Sequence, residues 1–173
     1  MKFAYADPPY FGQGKIHYSA FHPNAADYDS KQAHYDLFDR LISEYPDGWA
    51  LSLNPKDLVW TLPLLPETVR VCAWTKTFHQ IRTNVSVQYS WEPVILFGGR
   101  DMRHRKPMTR DWLACKIAMQ KGLPGAKPKE FYEWVLNLLG WQKGDQIDDL
   151  FPGTGGLAVV VEKREMQLFE DAG

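Results

Sequence analysis

The residues best equipped for chemistry stand almost at the start of the chain, in Asp7-Pro8-Pro9-Tyr10. The alternating Phe3 and Tyr5 just upstream predict a short buried strand. Both prolines lack the N–H a ladder needs, and each biases the residue before it towards extended geometry. The result is a stiff turn at the carboxyl end of a strand. It carries a carboxylate (Asp7), a free backbone carbonyl (Pro8), a second rigid proline (Pro9) and an aromatic face (Tyr10). Such a platform suits gripping a planar amine through its N–H hydrogens while stacking on its ring. In isolation the same residues also make an ordinary turn after an N-terminal edge strand.

A second set lies near the other end. Gln146 to Phe151 reads as a buried strand, Pro152-Gly153-Thr154-Gly155-Gly156 as a glycine-rich turn, and Leu157 to Glu165 as a helix. Glycines let a ligand approach the backbone, and a helix N-terminus offers free N–H groups, so this is a nucleotide cradle. Met166 to Phe169 is expected to form a last strand ending at Glu170, an acid suited to ribose hydroxyls. Glu162 competes for that role but falls inside the predicted helix and reads as surface. A Walker loop is excluded, because no Lys-Ser/Thr follows the glycines. Gly153-x-Gly155-x-x-Ala158 fits the relaxed dinucleotide fingerprint, but that motif normally opens a domain with several strands still to come. Here almost nothing follows it, and a nicotinamide enzyme leaves Asp7 to Tyr10 unexplained.

The third set is basic. Arg100, Arg103, His104, Arg105, Lys106 and Arg110 make the densest run of positive charge, flanked by Tyr89, Trp91 and Trp112. A solvated loop accounts for most such runs; this one is also suited to phosphates and a displaced base. The long polar loop from Phe11 to Asp29, holding Lys15, His17 and His22, is a further candidate for closing over a base.

The remaining elements must position these sets. Ser30 or Asp29 can cap a helix with Tyr35, Phe38, Leu41, Ile42 and Tyr45 at helical spacing, stopped by Pro46-Asp47-Gly48. Trp49 to Leu53 is a buried strand, Lys56 to Leu65 a short helix that Pro63 ends or kinks, and Thr68 to Trp74 another strand. Lys76 to Tyr89 is a loop or hairpin arm, Glu92 to Phe97 a strand ended by Gly98-Gly99, and Trp112 to Lys121 reads as helical. Lys127-Pro128 opens a helix with proline at its first position. Its apolar stripe is Phe131, Trp134, Val135, Leu138 and Leu139, and Gly140 stops it. Alternating strands and helices predict an α/β sheet, mostly parallel, with helices on both faces.

At 173 residues the chain is one domain by size, and long enough for a substantial core. A formal charge of −1 gives no global argument for nucleic-acid binding, so any such surface is local. Cys72 and Cys115 have no paired spacing, and no stretch resembles a signal peptide or a membrane span; a cytoplasmic, reducing location is the expectation. The five histidines show no metal-ligand spacing, so no metal is expected.

Taken together, Asp7-Pro8-Pro9-Tyr10 in front and Asp149-Leu150-Phe151-Pro152-Gly153-Thr154-Gly155 behind resemble the S-adenosylmethionine-dependent amino-methyltransferases. In particular they are similar to DNA adenine-N6 methyltransferases in which the catalytic motif precedes the cofactor motif. Leu51-Ser52-Leu53-Asn54, Trp74-Thr75-Lys76, Trp91-Glu92-Pro93 and Phe97-Gly98-Gly99-Arg100 are similar to that family and to the related messenger-RNA adenine methyltransferases. The resemblance covers nearly the whole chain. It implies a Rossmann-like methyltransferase sheet with permuted motif order and an antiparallel edge strand, within a single domain spanning 1–173. Residues 10–29 and 77–112 would supply loops to the base or nucleic acid, and 127–171 the cofactor-binding part. Asp7, Pro8, Pro9 and Tyr10 would be catalytic. Asp7, Lys127, Asp149, Phe151, Gly153, Thr154, Gly155 and Glu170 would hold S-adenosylmethionine, Lys127 facing its carboxylate. Lys15, His17, Arg100, Arg103, Arg105, Lys106 and Arg110 would meet nucleic acid.

The implied partner is DNA, with RNA as the alternative, and a homodimer or partner subunit would help recognition. Such stand-alone enzymes occur in phages and bacteria. A catalytically silent fold serving as a nucleic-acid-binding subunit is a further alternative, and cytosine-N4 enzymes more often carry serine in place of Asp7. Two departures stand out: Leu150 where the family usually has proline, and Gly156 where it usually has threonine. The resemblance also leads to the expectation of no long insertion serving as a recognition domain, and of no further strand and helix, common in the family, after the acid-ended strand.

Overall fold

The computed structural model describes residues 1–15, 25–78, 81, 83–103, 108–117 and 126–170, excepting the side chains of 167–170. Among these residues six strands form one sheet: β1 (Lys2–Ala6), β2 (Gly48–Ser52), β3 (Arg70–Lys76), β4 (Trp91–Gly98), β5 (Trp112–Cys115) and β6 (Gln146–Asp149), in the order β5-β3-β4-β2-β1-β6. The helices are α1 (Lys31–Glu44), the single turn α2 (Leu58–Thr61), α3 (Lys129–Leu139) and α4 (Gly156–Glu170), with short 3-10 turns flanking α2. Among the described residues no helix is long and apolar enough to cross a membrane.

Strand periodicity divides the core in two. Side chains alternate across a sheet, so Phe3 and Tyr5 of β1 pack with α3 and α4, while Ala4 and Ala6 face α1. Likewise Ala50 and Val94 join the α3 side, and Trp49, Leu51 and Ile95 the α1 side. On α3, Phe131, Val135 and Leu139 are fully buried, each burial stabilising by about 1.5–3 kcal/mol. Gly140 ends that helix in the left-handed region (φ 65°), its N–H donating to the Asn137 and Leu136 carbonyls. Arg164 of α4 reaches back to α3, donating to Glu133 (2.5 Å) and Asn137 (2.8 Å).

Four local expectations are corrected. The antiparallel strand is internal: β4 runs antiparallel to both β2 and β3 and lies between them. Val94 and Ile95, wholly buried on opposite faces, explain this, because an edge strand would leave such a segment half uncovered. Trp112 to Cys115 is strand rather than helix, paired in parallel with β3 through Ala73 to Lys76; that pairing is tertiary and leaves no helical or capping signal. The last expected strand is absent, since α4 continues unbroken through Met166 to Glu170. No proline or glycine interrupts it, and Leu157 and Val160, buried at helical spacing, anchor its first turns. Glu170 therefore ends a helix, not a strand. The buried stripe of α1 is His34, Leu37, Phe38 and Leu41, leaving Ile42 exposed. Residues 77–112 contain β4, which includes the expected strand Glu92 to Phe97.

Candidate active site

At one end of the sheet, the rows of side chains facing α3 change from apolar to polar. On β1 the row runs Phe3, Tyr5 and then Asp7; on β2, Ala50 and Ser52; on β4, read backwards, Val94 and Glu92; on β3, Cys72, Trp74 and Lys76; on β6, Ile147 and Asp149. Period-two geometry alone gathers these polar groups at one rim. The parallel pairing of β1 with β6, with Tyr5 opposite Asp149, brings the two chain-distant motifs side by side. Asp7-Pro8 leaves one strand where Leu150-Phe151 leaves its neighbour.

The hub of the rim is Lys127, just before α3. Its ammonium lies 3.0 Å from Asp7 Oδ2 and 3.0 Å from Glu92 Oε2, and only 4% of its side chain is exposed. The Trp74, Tyr10 and Phe131 rings surround it at 5.5–5.8 Å, close enough for cation–π attraction. Glu92 is also paired with Lys76, and Tyr10 donates its hydroxyl hydrogen to Glu92 Oε2 at 2.7 Å. Tyr5 and Ser52 share a hydrogen bond beneath the cluster (3.0 Å).

Burial and charge set the protonation states. Burial works to raise Glu92, but Lys127 and Lys76 override it and hold the carboxyl at about 2. Burial also opposes charge on Lys127, and the two carboxylates reverse this, holding it well above the ordinary lysine value. Asp7 goes the other way: burial raises it, Lys127 opposes, and the nearby negative charge of Glu92 raises it again. Burial lifts Asp149 to about 6, with Asp7 adding repulsion and a hydrogen bond from the Phe151 N–H opposing.

Asp149 makes the rim sensitive to pH. A carboxyl whose folded value lies above its ordinary 3.8 favours the protonated fold. Its contribution to stability is therefore complete below pH 3.8, and is lost as pH rises towards 6. Asp149→Asn is expected to melt above wild type at pH 7.5 and to converge with it near pH 4. Thermal melts across that range check this, and a variant that melts below wild type at pH 7.5 contradicts it.

The cradle is the turn after β6. Gly153 and Gly155 have φ of 48° and 73°, in the region that favours glycine. No atom lies within 4 Å of where a Cβ on Gly155 would sit, so the turn presents bare backbone to open space. Thr154 lies between the two glycines, and Phe151 packs edge-on against Tyr28 at 5.1 Å. The two departures from the family pattern have physical causes here. The Leu150 N–H donates to the Tyr5 carbonyl (2.9 Å), extending the β1–β6 ladder as no proline can. A Cβ on Gly156 would lie 2.4 Å from the Tyr132 ring, so that ring fills the space of a larger residue.

Lys127 donates to Asp7 and Glu92, which takes up two of its three N–H groups. Arg100 donates to both oxygens of Asp145 and to the Gly140 carbonyl, at the opposite end of the sheet. Six residues of β4 separate that end from Glu92, about 20 Å. Arg103 pairs with its neighbour Asp101 at that far end, while Arg110 lies over the Trp112 ring ahead of β5, where Trp112 stands opposite Ala73. Lys15 is exposed in the loop after Tyr10, its N–H bonded to Asp29. His17, His22, His104, Arg105 and Lys106 lie outside the described residues. Glu92 and Lys76 received no site role from sequence, although extending the strand alternation by one step places both.

No protein-family model matches the chain, and no curated protein sequence matches it. Among solved structures it is similar to the crystal structure of the M1.HpyAVI–SAM complex. The TM-score is 0.58 at 14% sequence identity, covering 95% of this chain and 78% of that one. The likeness is one of fold: a Rossmann-like methyltransferase sheet with helices on both faces.

Proposed function

We propose that this chain transfers a methyl group from S-adenosylmethionine to the N6 amine of adenine in DNA. The observation that carries the reading is the β1–β6 pairing, which sets the amine-gripping turn beside the bare glycine turn. The residues present fit the cofactor. Asp149, a carboxyl raised by burial with only the Phe151 N–H to answer it among its described hydrogen bonds, suits a cationic ligand. Gly153, Thr154 and Gly155 offer backbone without obstruction, and Phe151 supplies an apolar wall. When bound, S-adenosylmethionine supplies an electrophilic methyl on a sulfonium that departs as a neutral thioether.

The chain's own residues do the rest. An adenine amine is a poor nucleophile, because its lone pair is delocalised into the ring. Asp7 and the Pro8 carbonyl accept its two hydrogens and favour a tetrahedral nitrogen with the lone pair aimed outward. Pro9 keeps the turn rigid, and Tyr10 stacks on a base turned out of its helix. The proton that nitrogen gives up on methylation would pass to Asp7, whose raised value suits it to accept. Asp7 keeps 22% of its side chain exposed despite Lys127, so a base can reach it. Lys56, exposed on the turn after β2 with its ammonium over Tyr89, supplies positive charge at this end of the sheet, as does Lys15.

The test is transfer of labelled methyl from the cofactor to duplex DNA, single-stranded DNA and RNA, followed by nucleoside analysis. Label in N6-methyldeoxyadenosine is expected. Label confined to RNA moves the substrate to the alternative nucleic acid. A protein that binds nucleic acid but transfers nothing is the silent subunit, and label on cytosine overturns the assignment to adenine.

A further inference from the structure

The methyl-transfer reading leaves Glu92 and Lys76 without a task. Both sit in the interior of the sheet's polar rim, on neighbouring antiparallel strands where Trp74 pairs with Glu92. An isolated buried carboxylate is costly, and one kept in the middle of a sheet needs a reason. Glu92 is 8% exposed, and its two oxygens are divided between different elements. Oε1 takes Lys76 of β3; Oε2 takes both the Tyr10 hydroxyl and the Lys127 ammonium. One side chain thus ties the turn after β1, strand β3 and the entry to α3. Lys127 carries the tie onward to Asp7. Asp7, Glu92, Lys76 and Lys127 together sum to zero charge, so the cluster can stay dry without a counter-ion.

We infer that Glu92 is a positioning residue. It fixes the plane of the Tyr10 ring through the hydroxyl and the direction of the Asp7 carboxylate through Lys127, so that stacking face and amine acceptor hold a set relation. The inference rests on the methyl-transfer reading for its consequence but not for its geometry. Tyr10 is held at two points, by its hydroxyl on Glu92 and by the Lys127 ammonium 5.7 Å from its ring. Removing Glu92 releases the first and leaves the second cation turned wholly to Asp7. A ring free to swing loses the face on which a planar base would lie, and small misplacements of this kind carry large rate losses.

The test separates position from charge balance. Glu92→Gln alone leaves an excess positive charge and is expected to lower the melting temperature. Glu92→Leu/Lys76→Leu restores neutrality and, unlike glutamine, leaves no acceptor for the Tyr10 hydroxyl; it is expected to recover most of that melting temperature. Its affinity for S-adenosylmethionine should stay within about threefold of wild type, and kcat should remain about 10–100-fold down. Tyr10→Phe in the wild-type background is expected to cost about tenfold, but less than twofold when added to the double variant, because the two changes remove one interaction.

A pH profile gives an independent reading. Asp7 is faced by the cations Lys127 and Lys76, the carboxylates Glu92 and Asp149, and the phenols Tyr5, Tyr10 and Tyr132. Glu92→Gln removes one of the negative charges, so the acid limb of kcat/KM is expected to move to lower pH. A double variant with wild-type kcat overturns the inference, as does an acid limb that stays in place. Were wild type to transfer no methyl to any acceptor, the methyl-transfer reading would fall by itself. Crystal structures of wild type and the double variant would then decide the positioning role: a Tyr10 ring displaced in the variant supports it, and an unmoved ring overturns it.

Discussion

Asp7→Ala is expected to lower kcat by about 10²–10³-fold or to below detection, while S-adenosylmethionine affinity stays within about fivefold of wild type. The carboxylate accepts a hydrogen from the amine, and that contact strengthens as nitrogen becomes tetrahedral and gains positive charge. It is therefore worth more in the transition state than in the bound substrate, and its loss falls on kcat rather than KM. The cradle is separate: its turn is built from Gly153 to Gly155 on the neighbouring strand, held by the Leu150–Tyr5 hydrogen bond, which the substitution leaves intact. Lys127 keeps Glu92 as its partner, so the variant is expected to fold. Acidification should imitate the mutation. Burial raises Asp7 above the ordinary carboxylate value, so the acid limb of the wild-type rate profile should lie above that of a solvated aspartate. Calorimetric titration with cofactor and single-turnover methyl transfer measure the two halves of the prediction. Equal collapse of cofactor affinity and rate would show that Asp7 serves the cofactor instead.

Much of this site was legible because it depends on local rules. Proline chemistry fixed the turn at Asp7 to Tyr10, Gly140 marked the end of α3, and strand–glycine–helix spacing located the cradle. What escaped depends on pairing between distant segments. Nothing local in Trp112 to Cys115 says that β3 needs a parallel neighbour, and the apolar run Val94 to Phe97 says that the strand is covered on both faces without saying which strands flank it. Arg100 illustrates the same limit. Its place in a basic run suggested phosphate, but Asp145, which also binds the N-terminal amine at 2.7 Å, had a prior claim on it. A charge run states how many cations are near in sequence, not which are already answered by carboxylates across the sheet. Lys127 stands out in the sequence by its place before a helix, yet its partners are carboxylates 35 and 120 residues away. The alternation rule could have gone further, because continuing each α3-facing row by one residue reaches Asp7, Ser52, Lys76, Glu92 and Asp149.

Lys127→Met is expected to be the most damaging single substitution to stability in this rim. Methionine keeps the length and packs against the Trp74 and Phe131 rings, so the loss is one of charge rather than of volume. It leaves Asp7 and Glu92 close together in a buried setting, with Lys76 and the Tyr10 hydroxyl to answer them. Breaking a buried pair in this way costs about 3–5 kcal/mol, which for a domain of this size is a fall of roughly 10 °C or more in melting temperature. The pH dependence also changes sign. In wild type, Glu92 has a folded value of about 2, below its ordinary 4.5. It therefore stabilises the fold above pH 4.5, and that contribution is lost as pH falls towards 2. Without the ammonium, burial and mutual repulsion raise both carboxylates. The variant's deficit should be greatest at pH 8 and shrink on mild acidification, as one of the pair takes up a proton. Melting curves at pH 5 and pH 8 decide the matter. A variant within 2 °C of wild type at pH 8 would mean that water, and not Lys127, satisfies the two carboxylates.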